Sequence, residues 1–241
     1  MLETTRGIVL HSIKYSENSL IVDIFTESRG NVSFLVKIPR SKKHPVNSVL
    51  LRPLSILELV FDFRVNQNLQ RISEMRVAVP YMTIPYNPLK ETLALFLSEF
   101  LFYALRNESE NTALYLYLQN SLEWLDSRDE RFANFHLVFL LRLTLFLGIW
   151  PNVEEYRWGN LFDLQGGYFC EVQPPHGSYL EPDEARLLPV LVRMNYHTMH
   201  LFRMSRNDRA RFLEVLNEYY SIHIPNFPAL KSISVLREVL S

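Results

Sequence analysis

Residues 20–38, Leu-Ile-Val-Asp-Ile-Phe-Thr-Glu-Ser-Arg-Gly-Asn-Val-Ser-Phe-Leu-Val-Lys-Ile, hold two runs of β-branched and aromatic residues around the segment Glu27-Ser28-Arg29-Gly30-Asn31. Runs of this kind, without a 3.6-residue period, read as strands, and a short polar segment with glycine between them reads as a hairpin connection. Working outward, similar runs at 7–14, 51–63 and 70–79 bring the number of strands in the first 80 residues to five. Such a set predicts a small antiparallel barrel, because closing a sheet on itself removes the edges that invite aggregation. An SH3-like barrel would give a similar pattern.

The texture changes after Pro80. Residues 81–88, Tyr-Met-Thr-Ile-Pro-Tyr-Asn-Pro, form a proline-punctuated connector, and the boundary between a strand domain (1–80) and a mostly helical domain (81–241) is placed there. Asn87 is placed to cap a helix opening with Pro88, along which Leu89, Leu93, Phe96, Leu97, Phe100 and Ala104 share one face. Further helices are expected at about 111–125 and 132–147, the second apolar nearly all round and ending at Gly148. Ser205 and Asp208 have the spacing of a capping box ahead of Phe212, Val215, Leu216 and Tyr219, and a last short helix covers about 232–240. Between these helices, residues 149–180 form an excursion in which Phe162-Asp163-Leu164 and Tyr168-Phe169-Cys170 flank Gln165-Gly166-Gly167 as a hairpin.

A formal net charge of −1 over 241 residues argues at first sight against a polyanionic ligand. The charge is unevenly spread, however: residues 1–80 hold 11 Lys and Arg against 7 Asp and Glu, and residues 81–241 hold 14 against 19. Local surplus, not the total, makes an electrostatic footprint, and here it lies in the first third. The single cysteine, Cys170, excludes an intramolecular disulfide and cannot supply a thiolate zinc site alone, so a reducing cytoplasm is expected. No apolar run reaches the roughly 20 residues that span a bilayer, and the opening residues lack the layout of a signal peptide.

The densest cationic stretch is Lys37-Ile38-Pro39-Arg40-Ser41-Lys42-Lys43-His44-Pro45. Exposed cations of this kind neutralise phosphates and release counterions, although a solvated loop has the same composition. Arg6, Lys14 and Arg29 add charge near the first three strands, where Tyr15, Phe25 and Phe34 are either stacking platforms or core. No convergent catalytic set emerges: there is no P-loop, no G-x-G-x-x-G after a strand and no G-x-S-x-G elbow. His197 and His200 stand three apart without a convincing third ligand. The expectation is a non-enzymatic protein with no cofactor and no metal.

The order of these parts resembles the RecO family. The resemblance rests on residues 5–30, TRGIVLHSIKYSENSLIVDIFTESRG, and on Leu51-Arg52-Pro53-Leu54 followed by Leu57-Glu58-Leu59. It continues at Tyr219-Tyr220-Ser221-Ile222-His223 and Leu230-Lys231-Ser232-Ile233-Ser234-Val235-Leu236-Arg237-Glu238, so that it covers nearly the whole chain. It implies an α+β multidomain protein with a five-stranded OB-fold antiparallel β-barrel at 1–80, then a mostly helical domain at 81–241 with a hairpin appendage at 149–180. Many family members carry a four-cysteine zinc knuckle in that appendage. Only Cys170 remains here, and the hairpin is expected to keep its shape by packing Trp158, Phe162, Tyr168 and Phe169 without metal.

The function the resemblance implies is recombination mediation in the bacterial cytoplasm, at the nucleoid. Such a protein binds single- and double-stranded DNA, anneals complementary strands and, with RecR, helps RecA replace single-strand-binding protein. The implied DNA contacts are Arg6, Lys14, Arg29, Lys37, Arg40, Lys42 and Lys43, while Lys231 and Arg237 are either a second contact or a solvated helix face. Arg142 is assigned to the rim of an apolar groove for the acidic, hydrophobic tail of single-strand-binding protein; an ion pair with a carboxylate such as Glu99 is the alternative. Two rival classes stay open: a protein-binding scaffold, whose binding would ignore salt, and a metal-dependent nuclease.

Overall fold

A computed structural model describes residues 2–37 and 48–240. The first 80 residues form six strands: β1 (Leu2–Ser16), β2 (Ser19–Thr26), β3 (Gly30–Lys37), β4 (Ile56–Asp62), β5 (Leu69–Gln70) and β6 (Ile72–Val79). They make one sheet in the order β5-β3-β2-β1-β4-β6. The sheet is curled into a half-barrel, because β5 pairs with β3 at one edge, β6 pairs with β4 at the other, and only Arg71 separates them along the chain. This corrects the count of five strands. The last run expected from sequence is broken at Arg71, where its pairing passes from one edge of the sheet to the other.

Period-two patterning explains how the sheet holds its core. Along β3, Val32, Phe34 and Val36 are buried and alternate with more exposed residues. They meet Val9, Val22, Ile24, Leu57, Leu59 and Phe61 from the other strands. The Phe34 and Phe61 rings stand edge to face at 5.1 Å, an arrangement that contributes about 0.5–1.5 kcal/mol beyond the area it buries. Phe25 is fully buried as well, so two of the three candidate stacking aromatics are core, while Tyr15 is exposed.

Three long helices follow, α1 (Pro88–Ala104), α2 (Thr112–Asp126) and α3 (Phe135–Phe146). Asn87 caps α1 through its side-chain oxygen, which accepts the N–H groups of Leu89 at 3.0 Å and Lys90 at 3.3 Å, and Asn111 caps α2 in the same way through Leu114. The connector into α1 is held from the far end of α2: the Asp126 carboxylate accepts the N–H groups of Met82, Thr83 and Ile84 at 2.7–2.8 Å. Burial resists ionisation of this carboxyl, but those amides outweigh it and hold the group below the usual carboxylate value. Beside it Lys90 is wholly buried, its ammonium donating to the Thr83 hydroxyl at 2.6 Å and to the Asp126 carbonyl at 3.3 Å.

Beyond α3 come β7 (Leu161–Asp163), β8 (Tyr168–Cys170), β9 (Tyr179–Leu180), the short helices α4 (Pro182–Ala185) and α5 (Leu188–Val192), then α6 (Arg206–His223) and α7 (Ser232–Leu240). The expected capping box is present in full, with Asp208 N–H donating to Ser205 Oγ at 3.1 Å and Ser205 N–H to Asp208 Oδ2 at 2.9 Å. α3 is buried nearly all round, and Tyr220 of α6 donates its hydroxyl proton to the Leu140 carbonyl at 2.8 Å.

The chain gathers into two compact units, one of residues 2–127 with 230–240 and the other of 128–229. The change from strand to helix near residue 80 therefore falls inside the first unit. In that unit Glu99 of α1 accepts the N–H groups of Lys231 at 3.1 Å and Ser232 at 2.8 Å, together with the Ser232 hydroxyl, and so caps the last helix.

The appendage is a three-stranded sheet in the order β8-β7-β9, one strand more than the expected hairpin. Its turn is set by Asp163 Oδ1, which accepts the N–H groups of Gln165 and Gly166 at 2.8 and 3.0 Å. Phe162 and Phe169 pack edge to face at 5.0 Å. Trp158 does not join them: it is 82% exposed, and Tyr156 takes the place beside Phe169 at 5.1 Å. Among the described residues no group of three or more His, Cys, Asp or Glu side chains could hold a metal ion, and no helix is long and apolar enough to cross a membrane.

Candidate nucleic-acid interface

The β2–β3 hairpin turn is docked on the segment that leaves α1. Asn31 N–H donates to the Glu108 carbonyl at 3.0 Å, and its side-chain amide donates to the Arg106 carbonyl at 3.3 Å. Gly30 makes this approach possible. Its φ of +69° is in the left-handed region, and a Cβ there would collide with the backbone of Glu108 and Ser109.

The loop between β4 and β5 is folded onto the same side by Gln70, whose buried side chain accepts Arg64 N–H at 2.9 Å and donates to the carbonyls of Arg64 and Gln67. Hairpin, loop and helix end enclose a groove of about 770 Å³. Arg29, Asn31 and Ser33 line it from the hairpin, Phe63, Gln67 and Asn68 from the loop, and Phe102, Arg106 and Asn107 from the end of α1.

Two of the charges at the groove, Arg29 and Asp23, are held by partners. Arg29 holds Glu3 through two hydrogen bonds, the Nε contact at 3.0 Å, and lies 4.6 Å over the Phe63 ring. The hydrogen bond from Arg29 lowers the Glu3 carboxyl, and the same contact raises Arg29, so both stay ionised. Asp23, the one carboxylate lining the groove among the described residues, is covered by the Ser33 hydroxyl at 2.5 Å and by His11 Nδ1 at 3.4 Å, while the His11 ring stacks on Phe102 at 4.3 Å. Arg106 and Asn107 are exposed. The groove thus brings guanidinium groups, aromatic rings and side-chain amides together, with Arg29 already paired to Glu3, one face of Phe63 covered by Arg29 and one face of Phe102 covered by His11.

The Recombination protein O N terminal family model matches residues 1–81, and the Recombination protein O C terminal model matches residues 86–232. The chain belongs to the RecO family. It is 51% identical over 241 residues to the DNA repair protein RecO of Phocaeicola vulgatus, covering all of both chains. To the protein of that name from Bacteroides fragilis it is 52% identical over 99% of both chains, and to that from Flavobacterium psychrophilum 35% over 98%. Membership of the RecO family places the chain in DNA repair.

Among the described residues, Arg29 alone of the expected DNA contacts lines the groove. Arg6 is exposed on β1, in register with Glu58 of β4. Lys14 and Lys37 are exposed at the other end of the sheet, the end at which residues 16 and 19 are paired. Arg40, Lys42 and Lys43 lie outside the described residues. Lys231 is exposed just before α7; Arg237 is in α7, and its side chain lies outside the description.

Arg142 is half-buried on α3, donating to the carbonyls of Val192 and Met194 at 3.3 and 3.4 Å and lying 5.7 Å from the Trp150 ring centre. Glu99, its suggested partner, instead caps α7. Sequence reading missed Arg106, Asn31, Phe63, Phe102 and the amides of the 64–68 loop. The cluster of Asn66, Gln67 and Asn68 between two strand runs was the signal that could have marked that loop.

Proposed function

We propose that this RecO-family chain is a non-enzymatic strand mediator that holds single-stranded DNA along the groove between the β2–β3 hairpin, the 63–68 loop and the end of α1. The observation that carries the reading is the convergence of Arg29, Arg106, Phe63 and Phe102 on one groove. Guanidinium groups neutralise phosphates and release counterions, and aromatic rings stack bases of any identity. Contacts of this kind let strands exchange, which annealing requires, and no bond chemistry is needed.

The pairing order supports reading the sheet as an OB fold. Taken as one strand interrupted at Arg71, residues 69–79 adjoin β3 at one end and β4 at the other, and the second and third strands with their loops form the ligand face of that fold. The family further suggests binding to double-stranded DNA, and RecR and the tail of single-strand-binding protein as partners in loading RecA.

Equilibrium binding of a labelled oligonucleotide across a salt series tests this directly. With Arg106→Glu the affinity is expected to fall and the logarithmic salt slope to flatten by about 0.7 for each lost phosphate contact on a single strand. An Arg106→Glu chain that binds with unchanged affinity and slope removes the groove from the function. In that case variants of Arg40, Lys42 and Lys43 become the next test of DNA contact.

A further inference from the structure

The Leu51-Arg52-Pro53-Leu54 motif has no part in the groove. It makes a tight turn in which Ser55 N–H donates to the Arg52 carbonyl at 3.1 Å and Leu54 N–H to the Val9 carbonyl at 2.8 Å. Leu54 is fully buried with φ +62°, a left-handed conformation that costs a branched residue on the order of 1–3 kcal/mol and persists only where the surroundings enforce it. The turn holds Arg52, Pro53 and Ser55 against the connector and α1, and between them lies a slot of about 160 Å³. Its other walls come from Tyr81, Ile84 and Pro85 of the connector and from Glu91, Ala94 and Leu95 of α1.

Three features make this slot a docking site. It is rigid, because Tyr81 donates its hydroxyl proton to the Leu54 carbonyl at 2.8 Å, and Asp126 grips the amides of residues 82–84. Leu95, which lines it, is 49% exposed, and Met82 and Tyr86, next in sequence to the lining residues Tyr81 and Pro85, are 74% and 81% exposed. Arg52 and Glu91, both exposed, line it from different elements, and among the described residues neither takes part in an ion pair or side-chain hydrogen bond.

We infer that the slot is a docking site for a short segment of a partner protein that inserts one aliphatic side chain and flanks it with one carboxylate, for Arg52, and one ammonium group, for Glu91. The volume suits a single side chain. The two unpaired charges of opposite sign define a dipolar complement, which a uniformly acidic or uniformly basic segment satisfies at one end only. A preformed socket loses little order on binding, so a few residues suffice for a weak, exchangeable contact. The surface lies within the first compact unit and is separate from the DNA groove, so it stands or falls independently of the proposed strand mediation.

The test uses the full chain, ¹⁵N-labelled, titrated to millimolar concentration with the peptide Ac-Asp-Leu-Lys-NH₂ and, separately, with its neutral analogue Ac-Asn-Leu-Gln-NH₂. The charged peptide is expected to shift the amides of Ile84, Ala94 and Leu95 and to bind about threefold or more tightly than the analogue, the scale of exposed charge pairs. Arg52→Glu and Glu91→Lys alone are each expected to remove that advantage, and the double reversal Arg52→Glu/Glu91→Lys to restore it for the inverted peptide Ac-Lys-Leu-Asp-NH₂. Shifts confined to other residues, equal binding of the two peptides, or a double reversal that fails to recover while retaining the wild-type spectrum elsewhere would each overturn the inference.

Discussion

The Asp126 carboxylate accepts the backbone N–H of Ile84 at 2.8 Å across 42 positions of sequence. With the amides of Met82 and Thr83 it fixes the point where the strand region passes into the first helix.

Replacing this carboxylate by asparagine turns an acceptor toward three donors into a group that itself donates. Asp126→Asn is expected to cost about 2–4 kcal/mol in urea unfolding, since hydrogen bonds to a charged acceptor contribute more than neutral ones. The wild-type contribution also depends on pH. Because the folded carboxyl is held below its ordinary value of 3.8, its stabilisation is full above that value and is lost as pH falls below it.

His136 is wholly buried on α3, and neither ring nitrogen has a hydrogen-bond partner among the described residues. Burial, aided by the nearby Arg209 charge, pushes its imidazole down to about 3. The unfolded chain therefore binds a proton below about pH 6.5 that the folded chain refuses, and stability falls as pH drops from there toward 3. His136→Phe is expected to remove about 2 kcal/mol of the loss between pH 7.5 and pH 5, read from paired unfolding curves. Identical pH dependence in the two proteins would contradict this.

Gly30→Ala places a Cβ against the Glu108 and Ser109 backbone at a φ that alanine resists. A loss of about 2–4 kcal/mol in thermal unfolding is expected, with weaker binding of single-stranded DNA as the hairpin lifts from the α1 end. An alanine variant as stable as wild type would show that the hairpin does not depend on this contact.

Phe63→Ala and Phe102→Ala separate stacking from charge. Each is expected to weaken oligonucleotide binding by about 1–3 kcal/mol while leaving the salt slope unchanged, because a lost stacked base releases no counterions. A changed slope would mean that these rings act by placing Arg29 or another cation.

Features that depend on near neighbours were legible in the sequence. Asn87 before Pro88, and Ser205 three residues ahead of Asp208, act within one helical turn, and both caps are present. The face of a strand residue is not local: Phe25 and Phe34 read equally well as core or platform until the hairpin register is known, and that register buries both. The groove was still less accessible, since Asn31 and Arg106 meet across 75 positions and the meeting rests on the positive φ of Gly30. Trp158 shows the reverse error, an apolar side chain assigned to a core whose place Tyr156 fills.

The Glu99 cap on the last helix has a consequence for the order in which the protein is made. About a hundred residues, all of the second unit, are translated between Ser127 and Leu230. At roughly 5–20 residues per second the nascent first unit waits some 5–20 s for its closing helix. Until then Glu99 lacks its amide partners and the part of α1 against which α7 packs has no cover. The strand region can pair early, but completion of the unit that carries the groove is deferred until the second unit has been translated.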